Sequence, residues 1–86
     1  MELKDLRNEI DLLDKELVVA FVKRMECAAQ IAAEKKANNL PISVPERELA
    51  VLQAVKSQAP VPLQEAVGEL YATIFKLSKD YQNTLL

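Results

Sequence analysis

Two basic residues, Arg24 and Lys35, lie on the apolar face of a long predicted helix. Apolar residues recur every three or four positions from Leu3 to Ile31, and Arg24 replaces one of them. Lys35 lies about 20° away around a helix that turns by roughly 100° per residue. A charge on a core-facing surface needs a buried carboxylate or an anionic ligand. Because the two backbones are about 16 Å apart along the axis, the two long side chains could bracket one small dianion.

Arg7 is a third basic residue beside the same face. It lies about 25 Å from Arg24 along the helix axis, which is farther than an arginine side chain reaches. If Arg7 binds the same small ligand, it must come from a second chain that pairs antiparallel with the first. This geometry favours a two-fold homodimer with shared sites.

Later parts of the chain add polar groups that suit the same ligand. Arg47 is followed by Glu48 and provides a further donor for a carboxylate. Ser78 and Gln82 face the same way on a helix, at the flank of its apolar face. The whole set has cationic and amide donors, one carboxylate, no His and no nucleophile beside a base. It suits binding and electrostatic stabilisation rather than hydrolysis or acyl transfer.

Each of these residues also has an ordinary explanation when taken alone. Arg24 could pair with an acid at the edge of the core, and Lys35 could be a solvated lysine at a helix end. Arg47 with Glu48 could be a surface pair. Only the joint arrangement points to a site.

Three helices must position these side chains. No Gly or Pro interrupts the chain before Pro41, so nothing breaks the first helix. Pro45 suits the first turn of a second helix, and Ser43 with Glu46 predicts a capping box there. The predicted helices cover about residues 2–38, 45–58 and 63–85 of one all-α domain, 1–86. The predicted apolar face of the third helix contains Val67, Leu70, Ile74, Leu77, Tyr81 and Leu85.

The length of the first helix also predicts a partner. At about 55 Å it is longer than a compact domain of this size is wide. It must pack against more than the two shorter helices that follow, and a second copy is the simplest candidate.

Composition excludes several classes of function. The net charge of −2, with acids and bases interspersed, does not support nucleic-acid binding. The short apolar runs predict no membrane span and the charged N-terminus no signal peptide. A single cysteine, Cys27, and the absence of His argue against a metal site, and we expect a reducing cytoplasm as the location. The sequence has no glycine-rich loop that could hold a phosphate-containing cofactor, so we expect the protein to use no cofactor.

With these residues in this order, the sequence resembles the AroQ-type, all-helical chorismate mutases over essentially its whole length. Each segment is weakly specific, but their order and spacing together match the family. The segments that carry the resemblance are Leu6–Asp11, Val22–Met25, Ile31–Lys35 and Pro41–Glu48, followed by Ser78 and Gln82.

The resemblance implies an intertwined dimer of three-helix chains that binds the small dianion chorismate. It implies that Arg7 is borrowed from the partner chain. Arg7, Arg24, Arg47 and Ser78 would hold the two substrate carboxylates. Lys35 and Gln82 would contact the ether oxygen, with Lys35 also at a carboxylate, and Glu48 would accept from the ring hydroxyl. The catalytic residues would be Lys35, Gln82 and Arg24.

Val44 departs from the family pattern, which usually has an acidic residue there. That residue caps the second helix, and its backbone N–H lies near the substrate hydroxyl. Since Val cannot cap, we expect Ser43 to cap the helix in its place, with the backbone of Val44 still at the site.

The implied activity is the rearrangement of chorismate to prephenate in phenylalanine and tyrosine biosynthesis. One alternative is an isochorismate pyruvate lyase on the same fold. Another is a non-catalytic module that binds a ligand or a partner enzyme for regulation. A plain coiled-coil interaction protein is the weakest alternative, because it does not explain why Arg24 lies on the apolar face of the first helix.

Overall fold

The chain is almost entirely helical in the computed structural model, which describes residues 1–85. The described part contains no strand, so the prediction of an all-α fold is confirmed. Its elements are α1 (Leu3–Ala37), α2 (Pro45–Ser57), a single 3-10 turn (Val61–Leu63) and α3 (Gln64–Thr84). None of the helices between residues 1 and 85 is both long and apolar enough to cross a membrane.

The ends of α1 and α2 follow from local chemistry. After α1, Asn39 takes a left-handed conformation with φ of 55°, which Asn tolerates better than most residues. The Asn38 side chain donates to the backbone oxygen of Glu34 at 2.8 Å, which also accepts from the backbone N–H of Asn38 at 3.1 Å. The chain then turns back through residues 40–44 into α2, which has Pro45 in its first turn.

The predicted capping box at Ser43 is wrong. The residue before α2 is Val44, and no side chain caps the helix. The carbonyl of Val44 accepts from the backbone N–H groups of Arg47 and Glu48, at 3.0 and 3.1 Å. Pro45 already lacks one of the N–H groups that a cap would serve, so the need for a cap is smaller here.

The third helix contacts both of the others, and its buried face differs from the predicted one. Ser78 and Gln82, each 6% exposed, are the buried residues of α3. The leucines predicted for that face, Leu70 and Leu77, are 52% and 42% exposed. The side of α3 that contains Ser78 and Gln82, beside the predicted apolar face, is therefore the buried side, because α1 and α2 pack against it.

The N-terminal half of α1 is exposed throughout. Every residue from Met1 to Ala20 is exposed, including Leu3 and Leu17 at 62% each. The buried residues of α1 are Ala28 and Ala32, near its C-terminal end. The predicted apolar face is thus not buried within one chain.

The overall shape agrees with this exposure. The chain measures 54 × 25 × 15 Å and its radius of gyration is 15.9 Å. A compact chain of this length would have a radius of gyration of about 12 Å. The excess follows from α1, which at about 1.5 Å per residue accounts for the longest dimension.

Candidate active site

A cleft with a volume of about 460 Å³ lies between the C-terminal half of α1, the start of α2 and the C-terminal half of α3. Its wall also includes part of the turn between α1 and α2. Every site residue predicted from the sequence lines this cleft except Arg7. The charged and polar lining residues are Arg24, Lys35, Arg47, Glu48, Ser78, Lys79 and Gln82.

Arg24 projects from α1 toward aromatic side chains of α3. Its guanidinium carbon is 5.8 Å from the ring centre of Tyr71 and 5.9 Å from that of Phe75. Both distances are within the range of cation–π attraction. The ion pairs among residues 1–85 are Lys76–Asp80 and Lys79–Glu48. The alternative in which Arg24 pairs with a core-edge acid is therefore not observed, and the guanidinium edge keeps its donors for an anion.

Lys35 connects α1 to the turn that precedes α2. Its ammonium donates to the backbone oxygen of Ile42 at 2.7 Å. The same turn is held from the backbone, since the N–H of Leu40 donates to the oxygen of Lys35 at 2.8 Å. An ammonium has three hydrogens, so Lys35 fixes the turn with one of them and retains two for a ligand. It is half-buried and not the freely solvated lysine of the ordinary explanation.

Ser78 and Gln82 form a buried polar pair on α3. The Gln82 amide nitrogen Nε2 lies 3.1 Å from the Ser78 hydroxyl. The amide oxygen Oε1 is buried and has no hydrogen-bond partner among the described residues. Because a hydroxyl can both donate and accept, a half-turn of the amide preserves the contact with Ser78 and exchanges the positions of Oε1 and Nε2. The pair can therefore present either an acceptor or a donor.

The first turn of α2 contributes Arg47 and Glu48. Glu48 is half-buried, while Arg47 is exposed at the rim. The ammonium of Lys79, on α3, lies 2.9 Å from the Oε1 oxygen of Glu48. This pair joins α2 to α3 across the cleft.

Lys79 is the charged residue of the cleft lining that the sequence predictions do not include. The signal was available, because positions 75, 78, 79 and 82 follow the spacing of one helix face. The predicted apolar face of α3 passes through Ile74 and Leu77 instead and does not include Lys79.

Arg7 lies apart from this constellation. It is exposed on the N-terminal part of α1, about 25 Å along the helix from Arg24. The cleft of a single chain therefore contains Arg24, Lys35 and Arg47 but not Arg7.

The charges in the cleft suit a small anion. Its lining carries four basic side chains and one carboxylate. Residues 1–85 contain no group of three or more His, Cys, Asp and Glu that could hold a metal ion. Preorganised cationic and amide donors favour a small anion and can stabilise charge that develops on it. Fold and site together define an all-helical protein with a predominantly cationic cleft.

Comparison with known proteins identifies the family of the chain. Residues 6–83 match the family described as chorismate mutase type II, and the chain belongs to that family. The resemblance seen in the sequence is thereby confirmed.

Three curated relatives are similar to most of the chain. It is 53% identical over 57 residues to the T-protein of Haemophilus influenzae, covering 66% of this chain and 15% of that protein. It is 41% identical over 67 residues to the T-protein of Enterobacter agglomerans, covering 78% and 17%. It is 43% identical over 54 residues to the bifunctional chorismate mutase/prephenate dehydratase of Aquifex aeolicus, covering 63% and 15%. The chain thus spans 15–17% of the length of these relatives. No solved structure matches the chain significantly.

Proposed function

We propose that this chain, as one domain over residues 1–86, is a chorismate mutase, an isomerase that converts chorismate to prephenate without a cofactor. The observation that carries the proposal is the cleft at the α1–α2–α3 junction, in which Arg24, Lys35 and Arg47 are not paired with any acid in the described part of the chain. The reaction would serve phenylalanine and tyrosine synthesis in the cytoplasm. The Aquifex aeolicus relative is named for the same activity.

Binding of the two substrate carboxylates is the first task of the cleft. Chorismate is a dianion, and arginine donates to a carboxylate through two parallel N–H groups. Arg24 and Arg47 lie on different helices of the cleft, and the Ser78 hydroxyl adds a neutral donor. Holding both carboxylates would keep the substrate in its compact, reactive conformer, which is how positioning lowers a unimolecular barrier.

Stabilisation of the breaking ether bond is the second task. The rearrangement needs no proton transfer and forms no covalent intermediate, which fits a cleft without a nucleophile and base. Negative charge grows on the ether oxygen as the C–O bond breaks. Lys35, with two hydrogens free, and Gln82, with its amide turned so that Nε2 faces the ligand, would donate to that oxygen.

Recognition of the ring hydroxyl would fall to the start of α2. The carboxylate of Glu48 is an acceptor for the hydroxyl hydrogen. Val44 directly precedes the helix and is also among the residues that line the cleft. A backbone donor does not depend on the side chain, so Val44 can serve this role although it lacks the acid usual in the family.

A homodimer is part of the proposal. An antiparallel pairing of two α1 helices would bury the exposed face that includes Leu6, Ile10 and Leu13, which are 44%, 55% and 55% exposed in one chain. The same pairing would bring Arg7 of the partner subunit to the cleft. Arg7 would then bind a substrate carboxylate, as the resemblance implies.

The test is the loss of chorismate absorbance with product identification for the intact chain and for Lys35→Ala. Removing one preorganised donor costs about 3–4 kcal/mol, so we expect kcat to fall by about 10²- to 10³-fold. Lys36→Ala is the matched control, because Lys36 is exposed, adjacent and outside the cleft lining. Near-normal turnover by Lys35→Ala would contradict the assignment. Isochorismate, assayed in parallel, would give pyruvate and salicylate if the chain were a lyase instead.

A further inference from the structure

The ion pair between Lys79 and Glu48 is unlike the other ion pair of α3. Lys76 and Asp80 form an exposed pair within one helix, with side chains 74% and 60% exposed. Lys79 and Glu48 join two helices, and their side chains are 35% and 28% exposed. Both residues line the cleft, whereas neither Lys76 nor Asp80 does. Lys79 is also outside the set of site residues that the family resemblance implies.

The geometry of this pair constrains the Glu48 carboxylate. The ammonium of Lys79 contacts one oxygen, Oε1, at 2.9 Å. The other oxygen, Oε2, has no ion-pair partner in the part of the chain that the structure describes. A carboxylate held by one oxygen has fewer rotamers to lose when the other oxygen accepts a hydrogen bond.

The charge of this pair also matters for a dianionic ligand. Glu48 is the only carboxylate in the described lining of the cleft, and it would repel each carboxylate of the substrate. Lys79 compensates that charge at contact distance. The cleft can therefore contain a hydrogen-bond acceptor for a hydroxyl without losing its attraction for a dianion.

We propose that Lys79 is a positioning residue that holds the Glu48 carboxylate for the ring hydroxyl, and so makes the cleft selective for dianions that carry this hydroxyl. The inference rests on the proposed function and deepens it. Lys79 acts through Glu48 and contributes no group to the reacting atoms.

The test compares kcat/KM for chorismate with kcat/KM for the analogue that lacks the ring hydroxyl. The variant is Lys79→Met, and Lys76→Met on the same helix is the matched control. We expect Lys79→Met to lower the ratio of the two constants by roughly tenfold, as for a weakened hydrogen bond to a charged group. Lys79→Arg, which keeps the charge, should restore most of the ratio. Lys76→Met should leave it within about twofold, because exposed pairs contribute little.

A double-mutant cycle separates positioning from direct binding. If Lys79 acts through Glu48, Lys79→Met should change kcat/KM by less than about twofold when Glu48→Gln is already present. Equal effects of Lys79→Met in both backgrounds would overturn the inference. An unchanged ratio in Lys79→Met, with helical circular dichroism intact, would also overturn it while leaving the mutase activity standing. Turnover of the unaltered chain at the uncatalysed rate would overturn the proposed function and the inference with it.

Discussion

Two impaired variants, Arg7→Ala and Arg24→Ala, are expected to restore activity when their subunits are mixed. In the proposed antiparallel dimer, each site takes Arg24 from one chain and Arg7 from the partner subunit. The two positions are about 25 Å apart on α1, so one chain cannot supply both to one site. Loss of either contact to a substrate carboxylate should cost about 2–5 kcal/mol, which is more than 20-fold in kcat/KM.

The size of the restoration follows from symmetry. A mixed dimer has one site in which both arginines are missing and one in which both are present. Random exchange in an equal mixture makes about half of the dimers mixed, so about a quarter of all sites are intact. The mixture should therefore recover about a quarter of the activity of the unaltered chain, far above either parent.

The assay is chorismate consumption after the two variants are unfolded together, refolded and sized on a column. A mixture of Arg24→Ala with Lys35→Ala is the control, since both residues line the cleft of the same chain. Every site of that mixed dimer stays damaged, and no recovery is expected. If the Arg7→Ala and Arg24→Ala mixture showed only the mean of its parents while subunits exchanged, Arg7 would not be a borrowed residue. A monomer with full activity would refute the dimer as well.

Two further predictions concern α3. Gln82→Glu should lower kcat/KM at neutral pH by about 10²-fold or more, because an ionised carboxylate cannot donate to the ether oxygen. The activity of this variant should rise as the pH falls, because the protonated carboxyl group can donate again. A flat pH profile for this variant, measured beside Gln82→Ala, would contradict the donor role. Gly68→Ala should raise the free energy of unfolding by about 1 kcal/mol through helix propensity, since the added Cβ would lie 3.4 Å from the flexible side chain of Lys56. Thermal melting should show a midpoint about 4–8 °C higher, and a lower midpoint would indicate a closer neighbour at Gly68.

The helices could be predicted from the sequence because their limits are set locally. Asn38 and Asn39 end α1, and Pro45 begins α2, through backbone effects that do not depend on the rest of the fold. The cap at Ser43 was wrong for a related reason. A capping box is a pattern of residue types, and the pattern does not fix which residue directly precedes the helix; here that residue is Val44, one position after Ser43.

The buried face of α3 could not be predicted from apolar spacing alone. Spacing identifies the apolar side of a helix but not the side on which its neighbours pack. Here α1 and α2 pack against the side of α3 that contains Ser78 and Gln82. Lys79 is on the same side and therefore also lines the cleft. The rule that hydrophobic residues are buried predicts an apolar side at this position, whereas the observed buried side is polar. Functional sites are where such rules are expected to fail, because a site must keep polar groups in a protected place.

The exposed face of α1 and the absence of Arg7 from the cleft of its own chain have one physical origin. A chain of this size buries only about 60% of its unfolded surface, and α1 runs beyond α2 and α3, leaving Leu3 and Leu17 exposed. Burying each such side chain contributes roughly 1.5–3 kcal/mol, so the apolar face drives the pairing that we propose. Because that pairing also carries Arg7 to the partner's cleft, one interface would set both stability and the completeness of the site. A substitution on this face, although remote from the cleft, should therefore reduce activity by weakening the dimer and leave the chemistry of each intact site unchanged.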